Sequence, residues 1–333
     1  PARGGLGYQE DIVTCCRSMT ESIATLVFGG AGFIGSHLVN ALVKDGRRRV
    51  KVTGRRPEPR FPLPEGVEYL RADTIDEAGL DNLLDEADEV VDLAYSTVPK
   101  TSFDDPVRDV MSNLPVTVDL LKKASEHSLR CFLLVSSGGT VYGNADHLPI
   151  DESHPTNPFS PYGITKLATE KYAFMYHKLA KLPVVVVRPG NPYGPNQYGN
   201  LAQGFIGAAL HAIVHNEKVV VFGDRGTIRD YIFIEDLVGG LLAALDSGVP
   251  GDVYNIGTGI GYDNLAVLHA IDRVVRGDGY AVELEHRESR PFDVTSNVLS
   301  SARLTYLTGW RPETDLPTGL AETWAWVRRQ LES

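Results

Sequence analysis

The chain has 333 residues with 43% hydrophobic and 23% charged residues, the composition of a globular protein and not of a disordered or fibrous one. Its net charge of −11 argues against a nucleic-acid partner, and the short basic runs at 47–49 and 55–56 do not offset that field. No apolar run approaches the roughly 18 residues that cross a bilayer, and three cysteines (Cys15, Cys16, Cys131) with no zinc spacing exclude a disulfide scaffold and point to a reducing cytoplasm.

Residues 1–18 lack periodicity and read as an extraneous leader, after which Met19 runs into a strand. Ile23 to Phe28 is apolar, ends in glycines and reads as a buried strand. Apolar residues at helical spacing follow over 32–44. Strands are expected at 50–53, 67–70 and 89–94, with a helix up to 85 and a long helix over 104–126. A strand over 131–136, a helix over 161–180 and a strand over 184–188 complete this run. Such alternation specifies α/β structure, a doubly wound parallel sheet of Rossmann type with helices on both faces. The rest is more broken. Helices are expected near 200–215, 235–247 and 262–276, short strands near 219–221, 254–256 and 282–284, and two helices at the C-terminus. This smaller C-terminal α/β part should close over a substrate.

Three motifs carry chemistry. Gly29-x-x-Gly32-x-x-Gly35 follows a strand and opens a helix. Glycines there let backbone approach a pyrophosphate, and the helix end supplies free N–H groups, so the motif points to a dinucleotide. The second strand ends in Gly54-Arg55-Arg56 and lacks the acid that would bind ribose hydroxyls. A small residue followed by Arg leaves room and charge for a 2′-phosphate, which inclines the choice between NAD and NADP towards NADP. Tyr162-x-x-x-Lys166 places a phenol and an ammonium on one helix face, a proton-transfer pair in which the lysine and an oxidised nicotinamide would lower the tyrosine's pKa. No residues are assigned to a metal.

With these motifs the chain resembles the extended short-chain dehydrogenases/reductases, in the NAD-dependent epimerase/dehydratase family of nucleotide-sugar enzymes that includes UDP-glucose 4-epimerase. The resemblance rests on residues 29–36, Asp92-Leu-Ala94, Ser136-Ser137-Gly-Gly-Thr140-Val-Tyr-Gly143, Tyr162-x-x-x-Lys166, Arg188-Pro-Gly-Asn191 and Arg229-Asp-Tyr231. It implies a transient 4-keto sugar, with Tyr162 as acid/base and Lys166 on the nicotinamide ribose. Implied cofactor contacts are Gly29, Gly32, Phe33, Ile34, Gly35, Arg55, Asp73, Thr74, Leu93, Ala94, Tyr95, Asn113 and Pro189, with Tyr162 and Lys166. Implied substrate contacts are Asn191, Arg229 and Arg290, gripping the diphosphate of a nucleotide sugar, a UDP-sugar first of all.

It also implies a division into a Rossmann domain over 19–190, with segments near 219–257, and an interleaved sugar-nucleotide-binding domain over 191–333. The family's serine or threonine four residues before the tyrosine of Val-Tyr-Gly is Gly138 here, so Ser137 or Thr140 is expected to replace it. The acid pair of the 4,6-dehydratases would fall on Gly139 and Thr140, which disfavours dehydration. The expected activity is nucleotide-sugar 4-epimerisation. A 4-keto sugar reductase using exchangeable NADPH and a non-catalytic sensor are the alternatives. Apolar helices at 110–124 and 161–180 imply a homodimer.

Overall fold

The alternation expected for the first two thirds of the chain is present in the computed structural model, which describes residues 22–197, 204–289 and 294–332. The leader over 1–18 therefore lies outside the described residues, as do the first residues of the helix expected near 200–215. The first half comprises β1 (Ile23–Phe28), α1 (Phe33–Lys44), β2 (Arg48–Gly54), β3 (Glu68–Arg71), α2 (Glu77–Asp85), β4 (Glu89–Asp92), α3 (Pro99–Asp104), α4 (Pro106–Ala124), β5 (Cys131–Val135), α5 (Gly138–Val141), α6 (Pro161–Ala180) and β6 (Val184–Pro189). The second comprises β7 (Asn191–Tyr193), α7 (Phe205–Val214), β8 (Val219–Phe222), β9 (Ile228–Phe233), α8 (Ile234–Ser247), β10 (Val253–Ile256), β11 (Gly261–Tyr262), α9 (Asn264–Val275), β12 (Leu284–Arg287), β13 (Ser296–Asn297), α10 (Ala302–Thr308) and α11 (Leu316–Glu332).

Seven parallel strands form the central sheet in the order β3-β2-β1-β4-β5-β6-β10. The order reverses between β1 and β4, which opens a crevice at their C-terminal ends, the usual place for a ligand in a doubly wound sheet. Side chains alternate between the faces, as strand geometry requires. Val27, Val91, Leu133 and Val185 join the core under α1 and α8. Leu26, Val90, Phe132 and Val184 join the core under α2, α4 and α6. Val184–Val187 are all fully buried, which explains why these four positions are apolar. Outside this sheet, β9 pairs with β7, β11 and β13, while β8 pairs with β12.

The helix expected over 104–126 is α4, and α3 precedes it as a further, unexpected helix. Asp105 separates the two, because its carboxylate caps α4 by accepting from the Arg108 N–H at 2.9 Å and Pro106 occupies the first helical turn. The helix expected from 262 begins at Asn264, capped by Asp263, and residues 261–262 form β11 instead. No described helix is long and apolar enough to cross a membrane.

Candidate active site

The glycine turn after β1 lies in the crevice. Gly29 has φ +76°, and a Cβ there would stand 3.0 Å from the backbone of Leu93 and Ala94, so the turns after β1 and β4 approach as closely as backbone allows. A Cβ on Gly35 would stand 2.5 Å from the Gly29 carbonyl. Helix α1 starts at Phe33 behind Gly32, with no side-chain cap and no acid in its first turn, so its N–H groups and its positive end remain available. Phe33 and Ile34 are half-buried at this end. The cradle therefore fits a dinucleotide's diphosphate. Asn196 Nδ2 donates to Ser36 Oγ at 3.1 Å and ties the loop after β7 to α1.

At the end of β2, a Cβ on Gly54 would stand 2.5 Å from the Tyr69 hydroxyl, which accounts for the glycine. Arg55 follows, exposed, and its Nη1 donates to Ser96 Oγ at 3.2 Å. Asp73 is exposed and paired with Arg71, whose hydrogen bond holds the Asp73 carboxyl below its usual range. Thr74 lies in the same short turn, and its side chain is outside the described residues.

The catalytic candidates lie on the other side of the crevice. Ser160 caps α6 by accepting from the Gly163 N–H at 3.1 Å, which sets Tyr162 in the first turn and Lys166 one turn on. Lys166 is buried; its Nζ donates to the Val135 carbonyl at 2.9 Å and lies 4.0 Å over the Tyr95 ring. Tyr95 in turn packs edge-on against Tyr162, the ring centroids 4.9 Å apart. Burial pulls the Lys166 ammonium down to about 8, against the opposing pull of Asp92, Glu170 and Asp109. Burial also pushes the buried Asp92 carboxyl up to about 6.

In the protein alone the Tyr162 pKa is raised, by burial first and by the Asp109 charge second, whereas the expected lowering involves the oxidised nicotinamide as well. Asn113 braces the turn that carries Tyr95, accepting from the Ser96 N–H at 2.7 Å and donating to Thr97 Oγ1 at 3.1 Å.

The remaining candidates gather around α5. Ser137 precedes this one-turn helix, with no capping bond from its side chain, and Thr140 lies within it. A Cβ on Gly138 would stand 2.5 Å from Leu299 Cδ1 and 2.8 Å from the Arg188 carbonyl, so the position expected to carry a hydroxyl has no room for a side chain. A Cβ on Gly139 would stand 3.2 Å from Asn191 Oδ1, which brings Asn191 to this side of the crevice. Pro189 ends β6, buried, two residues earlier. Arg229 is half-buried on β9, where it pairs in register with Tyr262 and Asn297. Arg290 lies outside the described residues.

Sequence reasoning missed several residues here. Asp230, between Arg229 and Tyr231, is fully buried and accepts from the Thr258, Gly259 and Leu299 N–H groups, fastening the loop after β10. Asn297, also fully buried, donates to the Gly138 carbonyl at 2.9 Å, and its Oδ1 has no hydrogen-bond partner among the described residues. Glu170 and Arg188 form a buried bidentate pair at 3.0 and 2.6 Å. Glu170 stands four residues after Lys166, so helical spacing was the available signal for it.

Residues 25–257 match the family described as the NAD dependent epimerase/dehydratase family. A UDP-glucose 4-epimerase of Mycolicibacterium smegmatis is 34% identical over 315 residues, covering 92% of this chain and 99% of that protein. Curated relatives also include a dTDP-glucose 4,6-dehydratase of Actinoplanes sp., 31% identical and covering 91% of this chain and 97% of its own length. A crystal structure of the Thermotoga maritima UDP-glucose 4-epimerase with UDP-glucose superposes with a TM-score of 0.85 at 30% identity, covering 93% of this chain and all of that one. The Thermus thermophilus UDP-glucose 4-epimerase in complex with NAD does so with a TM-score of 0.82 at 32% identity, covering 92% and 99%.

Proposed function

The chain belongs to the NAD-dependent epimerase/dehydratase family, and from that premise we propose that it is a nucleotide-sugar 4-epimerase acting on UDP-sugars. The observation that carries this reading is the intact Tyr162–Lys166 pair beside α5, where no acidic side chain stands at residues 137–140 to expel a sugar hydroxyl. The UDP-glucose and NAD complexes of the structural relatives support the substrate class and the cofactor class.

When bound, the nicotinamide dinucleotide supplies reversible hydride acceptance at the sugar's C4. Gly29, Gly32 and Gly35 would hold its diphosphate. Tyr162 Oη takes the proton from the 4-hydroxyl and returns it once the keto sugar has turned over. Lys166 positions the nicotinamide ribose, and its ammonium favours the phenolate. Ser137 or Thr140 supplies the hydrogen bond that Gly138 does not. Asn191, Arg229 and Arg290 bind the substrate's diphosphate, for which guanidinium forks are suited. The test is purified protein incubated with UDP-glucose. The expected product is the C4 epimer with no net change in nicotinamide absorbance and cofactor retained through gel filtration. Absence of the epimer from every UDP-, GDP- and dTDP-sugar offered would overturn the reading. Stoichiometric consumption of NADPH would replace it with a 4-keto sugar reductase, the second reading that Arg55 favours.

We place NADP ahead of NAD on the strength of Arg55, exposed at the end of β2 with no acid beside it. Arg55→Asp is expected to weaken NADP+ binding about tenfold or more, the worth of a charge-assisted hydrogen bond, while leaving NAD+ binding as tight or tighter. Equal loss for both cofactors in a fluorescence titration would reject the assignment.

We also propose a homodimer. Val107, Met111 and Val116 on α4 and Ile164, Met175 and Leu179 on α6 are exposed on two helices that pack together. Exposed apolar surface of this kind calls for a partner, and a two-fold axis closes it most simply. Light scattering at micromolar concentration should give twice the mass of 36.3 kDa; the single mass would rule the dimer out.

A further inference from the structure

Asp109 has no task in the proton transfer set out above, yet it touches the machinery from behind. Its side chain is fully buried in α4. One carboxylate oxygen accepts from Thr97 Oγ1, on the turn that carries Tyr95. The other accepts from Thr165 Oγ1 at 2.6 Å, and Thr165 lies on α6 between Tyr162 and Lys166. Asn113, one turn along α4, closes the arrangement by donating to the Asp109 carbonyl at 2.8 Å as well as to Thr97. Three elements thus meet on one carboxylate.

Burying a carboxylate costs several kcal/mol, and two neutral hydroxyls offset only part of that. An apolar residue would join the same helices at less cost, so the charge needs a use. We infer that Asp109 is a positioning residue of the catalytic pair, fastening the helix of Tyr162 and Lys166 to the turn of Tyr95 and setting the negative potential in which that pair works. The inference rests on the reading of Tyr162 and Lys166 as the acid/base pair.

The groups in its reach are consistent with this. From α6, Tyr162 and Lys166 feel its charge, and Tyr95 does so from the turn after β4. Asp92 on β4 and Glu170 on α6 pull on the same lysine, each more strongly than Asp109, which adds to them. Asp109 thus joins these two carboxylates in keeping a buried lysine, whose ammonium has fallen to about 8, in its charged form at neutral pH.

Asp109→Asn removes the charge and keeps the shape. The readout is the pH midpoint of Lys166, followed by NMR in protein labelled at lysine 13Cε and assigned with Lys166→Met. Removing a nearby negative charge destabilises the ammonium, so the midpoint is expected to fall by about one pH unit. An unchanged midpoint in a folded variant overturns the electrostatic role, whereas a purely structural role predicts no movement. Thr165→Val keeps the carboxylate and one of its bonds. It is expected to lower kcat roughly tenfold at unchanged KM, through misplacement of the helix. An unchanged kcat overturns the anchoring role, including where Asp109→Asn does not fold. The NMR midpoint needs no sugar, so its failure is distinct from a wild-type protein that epimerises nothing.

Discussion

Tyr162→Phe should lose turnover by a factor of about 10²–10⁴, the usual contribution of a positioned acid/base group. The substitution removes one oxygen and retains the ring. The ring is what packs edge-on against Tyr95, with centroids 4.9 Å apart, and Tyr95 is what Lys166 rests upon at 4.0 Å. The lysine's bond to the Val135 carbonyl at 2.9 Å is also untouched. Binding of the nicotinamide dinucleotide should therefore stay within a few-fold of wild type, measured by fluorescence titration, while the rate of epimer formation collapses. Near-wild-type turnover would remove Tyr162 from the mechanism. Loss of cofactor binding in step with turnover would show that the hydroxyl has a structural task instead.

The largest effect on stability is expected from Glu170→Ala. Glu170 and Arg188 lie in α6 and β6 with side chains 1% and 6% exposed, joined by two hydrogen bonds of 3.0 and 2.6 Å. Arg188 Nη1 also donates to the Tyr142 hydroxyl at 2.9 Å, and that hydroxyl donates to Asn255 Oδ1 at 2.7 Å. Truncating the glutamate leaves a guanidinium in the interior without its counter-charge, a change that typically costs about 3–5 kcal/mol. Denaturant unfolding should report that loss. A loss below about 1 kcal/mol would mean that water reaches the arginine. Replacing both partners, Glu170→Leu with Arg188→Met, should recover much of the stability, because the cost comes from the unpaired charge and not from the missing contact. Since α6 also carries Tyr162 and Lys166, the single variant should be slower as well as less stable.

Features whose physics is local were legible in the sequence. The glycine turn, the strand–helix alternation, and the four-residue spacing of Tyr162 and Lys166 follow from backbone freedom and from the periods of strand and helix. The valines of 184–187 read as a strand for the same reason, and the structure shows them buried on both faces. What required the tertiary structure was every property that depends on residues distant in the chain. Composition counts Arg48 as one charge in a basic run, yet it is buried and its Nε donates to Glu89, 41 residues away, at 2.9 Å. The short strands β7, β11 and β13 carry no period of their own and exist because β9 offers them partners. Gly138 read as a missing hydroxyl, but the fold gives it a cause: Leu299 and the Arg188 carbonyl fill the space, and Asn297 grips its carbonyl from 159 residues away. Asp109 gave no signal at all, because its meaning lies in two threonines that only folding brings to it, one of them 56 residues along the chain. A sequence pattern records what a residue is and how its near neighbours repeat. The charge, room and hydrogen bonds around a side chain are set by which distant segments the core packs against it.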